Sequence, residues 1–204
     1  MSQDRRGWSV ACTFLRQARL PFGLFDQEKV LLTTDEFFRL YNAMAEVSGD
    51  PVIGLKLGAE DRIEHYDPIY IAAQCTRSFR DAVGRLSRYK QLTCPEKIEL
   101  VERANECVVH FNWLLAGEEE PAVLVDVCFA WILAIAARGM GRPISPKRVE
   151  FRRPEAYRRI YEKHFRCSGQ VQLSEERTGV EQGRYRRPFP HLQLRSVCCR
   201  GASA

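Results

Sequence analysis

The chain has 204 residues, a length that suits one domain, with or without an appendage. Hydrophobic residues make up 45% of it and charged residues 28%, and both shares argue against a disordered or fibrous protein. The net charge of +5 comes wholly from residues 184–204, which contain five arginines and no acidic residue. Because residues 1–183 are neutral overall, the charge favours an anionic partner only for this basic tail.

The eight cysteines and four histidines lack the paired spacings of common zinc modules, because no Cys-x-x-Cys or His-x-x-x-His pair occurs. The N-terminus has no apolar stretch long enough for the core of a signal peptide, since Arg16 directly follows the short stretch at residues 8–15. We therefore expect a cytoplasmic protein whose cysteines are thiols, and we expect neither a metal nor a cofactor.

The N-terminal part is predicted to be helical. A first helix over residues 10–20 ends at Pro21. Thr33 and Glu36 have the spacing of a capping box, so a second helix begins there and closes at Gly49. Its apolar residues recur at three- and four-residue steps and predict one inward face, formed by Phe37, Leu40, Tyr41, Met44 and Val47.

The glycine-rich segment at residues 49–58 follows a helix. It lacks the strand-loop-helix context in which glycines hold a phosphate. We interpret its glycines as punctuation around a short helical piece over residues 52–57.

A further helix is predicted to begin at Ser78, which has the N-cap spacing to Asp81. Its apolar face is formed by Phe79, Val83, Leu86, Tyr89 and Leu92. Its basic residues lie largely on the opposite face and are interpreted as solvated, because no aromatic residue separates them: Arg80, Arg85, Arg88 and Lys90. After Pro95 the apolar period changes to two, which predicts a β-hairpin with Val109, Phe111 and Trp113 on one side.

The longest uncharged apolar stretch is residues 127–137. It is shorter than the roughly 20 residues that a membrane-spanning helix needs, so we expect a buried core helix that ends at Gly139 or Gly141, and no membrane partner. Residues 148–151 then predict a strand, 154–165 a helix and 170–173 a strand. The fold class is α+β, with N-terminal helices followed by a β-hairpin and alternating strands and helices on a mixed or mostly antiparallel sheet.

No enzyme motif is present, since the sequence has no Gly-x-Ser-x-Gly elbow, phosphate-binding loop or His-Glu-x-x-His pair. His65 beside Asp67 is a weak proton-transfer candidate, and we assign no catalytic residue. The candidates for a small-ligand pocket are large aromatic residues near the predicted sheet, namely Tyr70, Phe111, Trp113 and Trp131. Taken one at a time, each is better explained as part of the core.

Four stretches of the sequence carry a family signature. They are LTTDEFFRLYNAMAEVSGDPVIGLKLG between Leu31 and Gly58, SFRDAVGRLSRYKQL from Ser78, VVHFNWLL in the predicted hairpin, and EKHFRCSGQVQLSEERTG beyond it. The most telling part is Gly-Asp-Pro-x-x-Gly-Leu-x-Leu-Gly, with its spacing to the Ser78 helix. Over residues 10–180 the chain resembles the N-terminal effector domain, often called the arabinose-binding-type domain, of one branch of AraC-type transcriptional regulators.

The resemblance implies an effector-sensing or dimerisation domain at residues 1–183, followed by a disordered basic tail at residues 184–204. The partners it implies are an unknown small-molecule effector and a second subunit, in a homodimer or in a heterodimer with a full-length AraC-type regulator. No helix-turn-helix domain is legible after residue 183. The chain is therefore expected to be a truncated regulator, without direct sequence-specific binding to DNA.

Two other classes of function stay open at this point. One is a small Cys- or His-dependent enzyme, which loss of a measured activity on substitution of His65 or His110 would favour. The other is a basic nucleic-acid-binding protein, whose signature would be binding that weakens steeply with salt.

Overall fold

The computed structural model describes residues 2–28, 30–60, 71–73, 75–103, 106–167, 171–173 and 192–195. The helices are α1 (Ser2–Gln17), α2 (Thr34–Ser48), α3 (Ile53–Gly58), α4 (Phe79–Thr93), α5 (Ala122–Gly139) and α6 (Arg158–Phe165). The strands are β1 (Glu96–Arg103), β2 (Glu106–Trp113), β3 (Arg148–Phe151), β4 (Val171–Leu173) and β5 (Leu192–Arg195). Short 3-10 helices span Leu24–Asp26 and Glu155–Tyr157.

The strands form one sheet in the order β1-β2-β5-β3-β4. β1 and β2 make the predicted hairpin, in which Ile98 lies opposite Phe111 and Leu100 opposite Val109. β5 is antiparallel to both of its neighbours, whereas β4 runs parallel to β3. The sheet is thus mixed and mostly antiparallel, with helices preceding and alternating with its strands, which confirms the α+β class.

Strand β5 departs from the sequence-based expectation. Its four residues fall within the tail of residues 184–204, for which no regular structure was expected. In the structure Leu192 pairs with Val109 of β2 and with Val149 of β3, so β5 joins two parts of the sheet. The alternation Leu-Gln-Leu-Arg is too short to predict a strand by itself, and it is pairing with two neighbouring strands that satisfies its backbone groups. The rest of the tail and the boundary at residue 183 lie outside the described residues.

The two predicted helix starts are both confirmed. The Glu36 amide donates to the Thr33 hydroxyl at 3.2 Å, and the Thr33 amide donates to the Glu36 carboxylate at 2.8 Å. The Asp81 amide likewise donates to the Ser78 hydroxyl at 3.1 Å. At the other end of α2, Gly49 takes the left-handed conformation with a φ of 63°, as a helix-closing glycine does.

The inward surface of α2 is wider than the single face predicted. Phe38 belongs to the main core, whereas Leu40 and Ala43 belong to a second, smaller cluster with Leu15 of α1. Val47, predicted to point inward, is partly exposed. The difference arises because α2 lies between α1 and α5 and is buried from two directions.

Helix α5 runs through the main core. Phe129 makes edge-to-face contacts with Phe111 and Phe151, each with ring centroids 5.3 Å apart, and Phe151 in turn lies 5.0 Å from Tyr161. Among the described residues this is the one helix long and apolar enough to cross a membrane. It packs against α3, α2 and the aromatic side chains of the sheet, as predicted for a core helix.

Helix α3 approaches α5 through two glycines. A Cβ added at Gly54 would collide with the Val123 carbonyl oxygen and lie 2.7 Å from the Asp126 Cβ. A Cβ added at Gly58 would collide with the backbone of the next turn of α5 and lie 2.8 Å from the Ala130 Cβ. Both glycines are therefore packing residues. The interpretation as punctuation was wrong for Gly54, which lies inside α3, whereas Gly58 does end the helix.

We expect Gly58→Ala to lower the free energy of unfolding by about 1–3 kcal/mol, because the new methyl group forces α3 away from α5. The matched control is Gly84→Ala in the middle of α4, where an added Cβ meets nothing within 4 Å. That change should stabilise the protein by about 0.5–1 kcal/mol. Urea unfolding of both variants tests the close approach, and equal effects at the two sites would contradict it.

Candidate functional site

An open cleft of about 540 Å³ lies where α4 crosses β1. This volume falls within the range of roughly 300–1,000 Å³ that small-molecule sites occupy. The lining residues are Arg80, Val83, Gly84, Ser87 and Arg88 of α4, and Ile98, Leu100 and Glu102 of β1. Val83 and Ile98 lie almost fully buried beneath the cleft, and Leu100 is half-buried. The cleft thus has an apolar floor, exposed mainly at Leu100, and a charged rim.

Two periodicities bring these residues together. On α4 the lining residues follow one another at steps of three, one, three and one, which places them on one face of the helix. On β1 the lining residues alternate, so they share the face of the strand that points towards the helices. Gly84 lies at the middle of the α4 wall, and its missing side chain leaves space there.

The charges on the rim are unequally compensated. Arg80 forms an ion pair with Glu102 across the cleft. Arg88 is exposed, and within the described part of the chain it has neither a hydrogen bond nor an ion pair. The cleft therefore carries one uncompensated positive charge, at the end nearer to the start of β1.

A buried polar cluster lies at that same end, on the inner side of α4. Glu96, the first residue of β1, is fully buried and accepts an ion pair from the Lys90 ammonium at 2.9 Å. The same ammonium lies 5.5 Å from the centre of the Trp131 ring. The Cys128 thiol of α5 donates to the other Glu96 oxygen at 3.6 Å. The cluster thereby links α4 to β1 and α5.

The thiols around this carboxylate are not activated as nucleophiles. Burial raises the pKa of both Cys94 and Cys128, and the nearby Glu96 charge raises each further. Burial also raises the pKa of Cys167 to about 11. Protonated thiols are poor nucleophiles at neutral pH. Of the other described cysteines, Cys12 and Cys75 are free and Cys107 is disulfide-bonded, which corrects the expectation that all of the cysteines are thiols.

Glu120, just before α5, is a second carboxyl group in an unfavourable environment. Burial and the neighbouring charges of Glu119 and Glu96 together raise its pKa to about 7, against a lowering effect of Arg152. At neutral pH this carboxyl group therefore titrates between its two forms.

A separate buried network fastens α5 to the C-terminal part of the fold. Arg153 pairs with Asp126 at 2.8 Å, and the Tyr161 hydroxyl bonds to the same carboxylate at 2.9 Å. The Arg153 guanidinium also donates to the Tyr161 oxygen at 2.6 Å and to the Ala122 carbonyl oxygen. Burial raises the pKa of Asp126 to about 6, although Arg153 and Tyr161 both favour its charged form. All of its members are engaged with one another, so the network is structural.

The structure places three of the four predicted pocket residues. Phe111 packs against Phe129 in the core, and Trp113 packs between the helices and the sheet, 5.5 Å from Phe37 and 5.4 Å from Phe38. Trp131 lies beside the Lys90–Glu96 ion pair. Tyr70 lies outside the described residues. All four stay candidates, and of the three that the structure describes none lines the cleft.

Sequence reasoning missed Glu96, Arg88 and Gly84 as site residues. Glu96 continues the alternation of Ile98 and Leu100, so its inward position was legible from the period of two. Arg88 and Gly84 carried no such signal, because only the packing of α4 on β1 shows which surface of the helix borders a cleft. Within the described residues, no group of three or more metal-ligating side chains comes together.

The comparison with known protein families identifies a regulatory, ligand-sensing domain. A model of the family described as "Arabinose-binding domain of AraC transcription regulator, N-term" matches residues 11–183. The chain belongs to this family, and so to the ligand-binding domains of AraC-type regulators of transcription. No curated protein matches its sequence.

The structure is similar to the "Crystal structure of transcriptional regulator CdpR from Pseudomonas aeruginosa". The TM-score is 0.52 at 15% sequence identity, over 96% of this chain and 56% of that chain. At this identity the likeness concerns the fold alone. The chain spans about half the length of the regulator that it matches.

We expect Arg153→Met to lower the free energy of unfolding at pH 7.5 by about 3 kcal/mol, because Asp126 is left buried without its cation. The loss should be smaller at pH 5, where Asp126 can take up a proton. The control is Arg152→Met, which removes an exposed ion pair with Glu119 and should cost no more than about 1 kcal/mol. Urea unfolding at both pH values measures the effects, and similar losses for the two variants would refute the structural role of the network.

Glu120 should make the folded state less stable as pH rises from 4.5 to 7, because the folded form binds a proton that the unfolded form has already released. Glu120→Gln removes this dependence. The variant should match the wild type at pH 4.5 and exceed its stability by about 1–2 kcal/mol at pH 8. The control is Glu118→Gln, at an exposed position. A difference that does not grow with pH would contradict the assignment.

Proposed function

We propose that this chain senses a small-molecule effector, as the N-terminal domain of an AraC-type transcription regulator, and that the effector binds in the cleft between α4 and β1. Family membership supports the regulatory role and the small-molecule ligand. The observation that carries the choice of site is the cleft itself, which combines an apolar floor with a charged rim at a ligand-sized volume.

The position of the cleft suits a sensor because α4 also holds the Lys90–Glu96 ion pair. A ligand changes a conformational equilibrium only when it contacts the two states differently. A ligand between α4 and β1 contacts both elements and would alter their separation. The separation of α4 and β1 also sets the distance from Lys90 to Glu96. Because Glu96 and Lys90 contact Cys128 and Trp131 of α5, a change in this distance would alter the contacts of α5.

Within this proposal the chain acts in the cytoplasm through a second subunit, as a homodimer or as a heterodimer with a full-length AraC-type regulator. Sequence-specific contact with DNA would then be made by helix-turn-helix motifs outside these 204 residues. Effector binding and subunit association are thermodynamically linked. An effector that favours one arrangement of the two subunits would therefore bind more tightly to that arrangement.

An enzymatic function has weaker support. The two thiols next to Glu96, the half-buried Cys94 and the buried Cys128, have raised pKa values. His65 lies outside the described residues. His110 lies opposite Glu99 on the hairpin, on the face of the sheet away from the helices. Domains of this family usually sense ligands and do not catalyse reactions.

A thermal-shift screen of amino acids, sugars and fatty acids tests the sensing role. An effector present at about 100 times its Kd should stabilise the folded chain by about 2.7 kcal/mol, which appears as a clear rise in Tm. We also expect no sequence-specific gel shift of operator DNA by this chain alone. If no compound in a broad library raises the Tm, the sensing role is refuted. Specific DNA binding by this chain alone would refute the proposal that DNA is contacted only by motifs outside these 204 residues.

A further inference from the structure

Resting on the proposed sensing function, we infer that the ligand of the α4–β1 cleft is an organic monocarboxylate with an apolar body. Its carboxylate binds the Arg88 guanidinium. Its carbon skeleton lies against Leu100, in the space left by Gly84.

The carboxylate head follows from the charges on the rim. Arg88 is the guanidinium of the cleft without a partner in the described residues, whereas Arg80 is held by Glu102. A guanidinium binds a carboxylate through two parallel hydrogen bonds, and next to an apolar surface this pairing is stronger than in open water. A cationic head would meet the same guanidinium and be repelled.

The ligand is expected to have only one carboxylate because the other end of the cleft offers no free positive charge. Arg80 and Arg88 are eight residues apart on α4, which corresponds to about 12 Å along the helix axis. At the far end the charge of Arg80 is already neutralised by Glu102. A second carboxylate there would have to displace Glu102 or lie beside it, so a dicarboxylate is disfavoured.

The apolar body follows from the floor and from Gly84. Leu100 is half-buried and offers apolar surface along β1 towards Glu102, whereas Val83 and Ile98 lie beneath it and are only 2% and 3% exposed. Any side chain at position 84 would project into the space above this floor. The missing side chain is therefore what makes room for a hydrocarbon chain or ring.

The test compares ligands that share one body and differ in the head. Hexanoate, hexylamine, hexanol and hexyl phosphate are titrated into the full chain by isothermal titration calorimetry, together with acetate and butanoate. Hexanoate should bind more tightly than hexylamine and hexanol. Among the carboxylates, affinity should rise with each added methylene group, by at most about fourfold, the value for full burial. Tighter binding of hexylamine or hexanol would overturn the inference, and tighter binding of hexyl phosphate would replace the carboxylate by a phosphate.

Substitutions on α4 locate the site. Arg88→Gln should weaken hexanoate binding about tenfold to a hundredfold, since a charge-assisted interaction is lost. Arg85→Gln is the matched control, because Arg85 lies on the same helix outside the cleft and donates to the Ala72 carbonyl oxygen. It should leave the affinity unchanged. Equal losses at positions 85 and 88 would show non-specific attraction to a basic helix and overturn the inference.

Gly84→Leu fills the cleft without touching the core, so it should abolish hexanoate binding while the Tm stays at or above that of the wild type. Retained binding in this variant would overturn the inference. The same variant separates the two proposals. An amine or sugar that binds the wild type but not Gly84→Leu would leave the cleft as the effector site and refute the carboxylate class. An effector that binds both proteins equally would refute the cleft itself.

Discussion

The burial of α5 in the main core is the constraint on which the other elements depend. Because this helix has apolar residues around its whole circumference, other elements must cover it from several directions. The aromatic residues of β2 and β3 cover one side, and α3 covers another through Gly54 and Gly58. The charged side chain on its inner surface, Asp126, is compensated by Arg153 and Tyr161.

This arrangement leaves α4 in a different position from the other helices. It covers the end of the sheet at β1, and its inner side is tied to α5 through Lys90, Glu96 and Cys128. Its outer side borders the cleft, where Gly84 interrupts the packing. The helix is therefore fixed along one side and open along the other. A helix held in this way can transmit the presence of a ligand to the core through small shifts at an ion pair.

Local sequence patterns predicted most of the elements because their physical causes are local. The Thr33 and Ser78 caps are bonds over three residues, and the hairpin follows from an alternation that needs no distant partner. The patterns failed where a distant contact decides the outcome. Residues 192–195 are a strand because two other strands flank them, and α2 is buried on two sides because α1 folds back onto it.

The sequence by itself determined the fold class, the helix starts, the hairpin and the family, since these depend on residue types at fixed short spacings. Only the tertiary structure decided which charges are paired and which surface is open. Glu96 and Lys90 are six residues apart on two different elements. Arg88 borders the cleft, whereas Arg85, three residues before it, donates to the Ala72 carbonyl oxygen. Pairing and exposure depend on the distance between elements, a quantity that chain spacing does not contain.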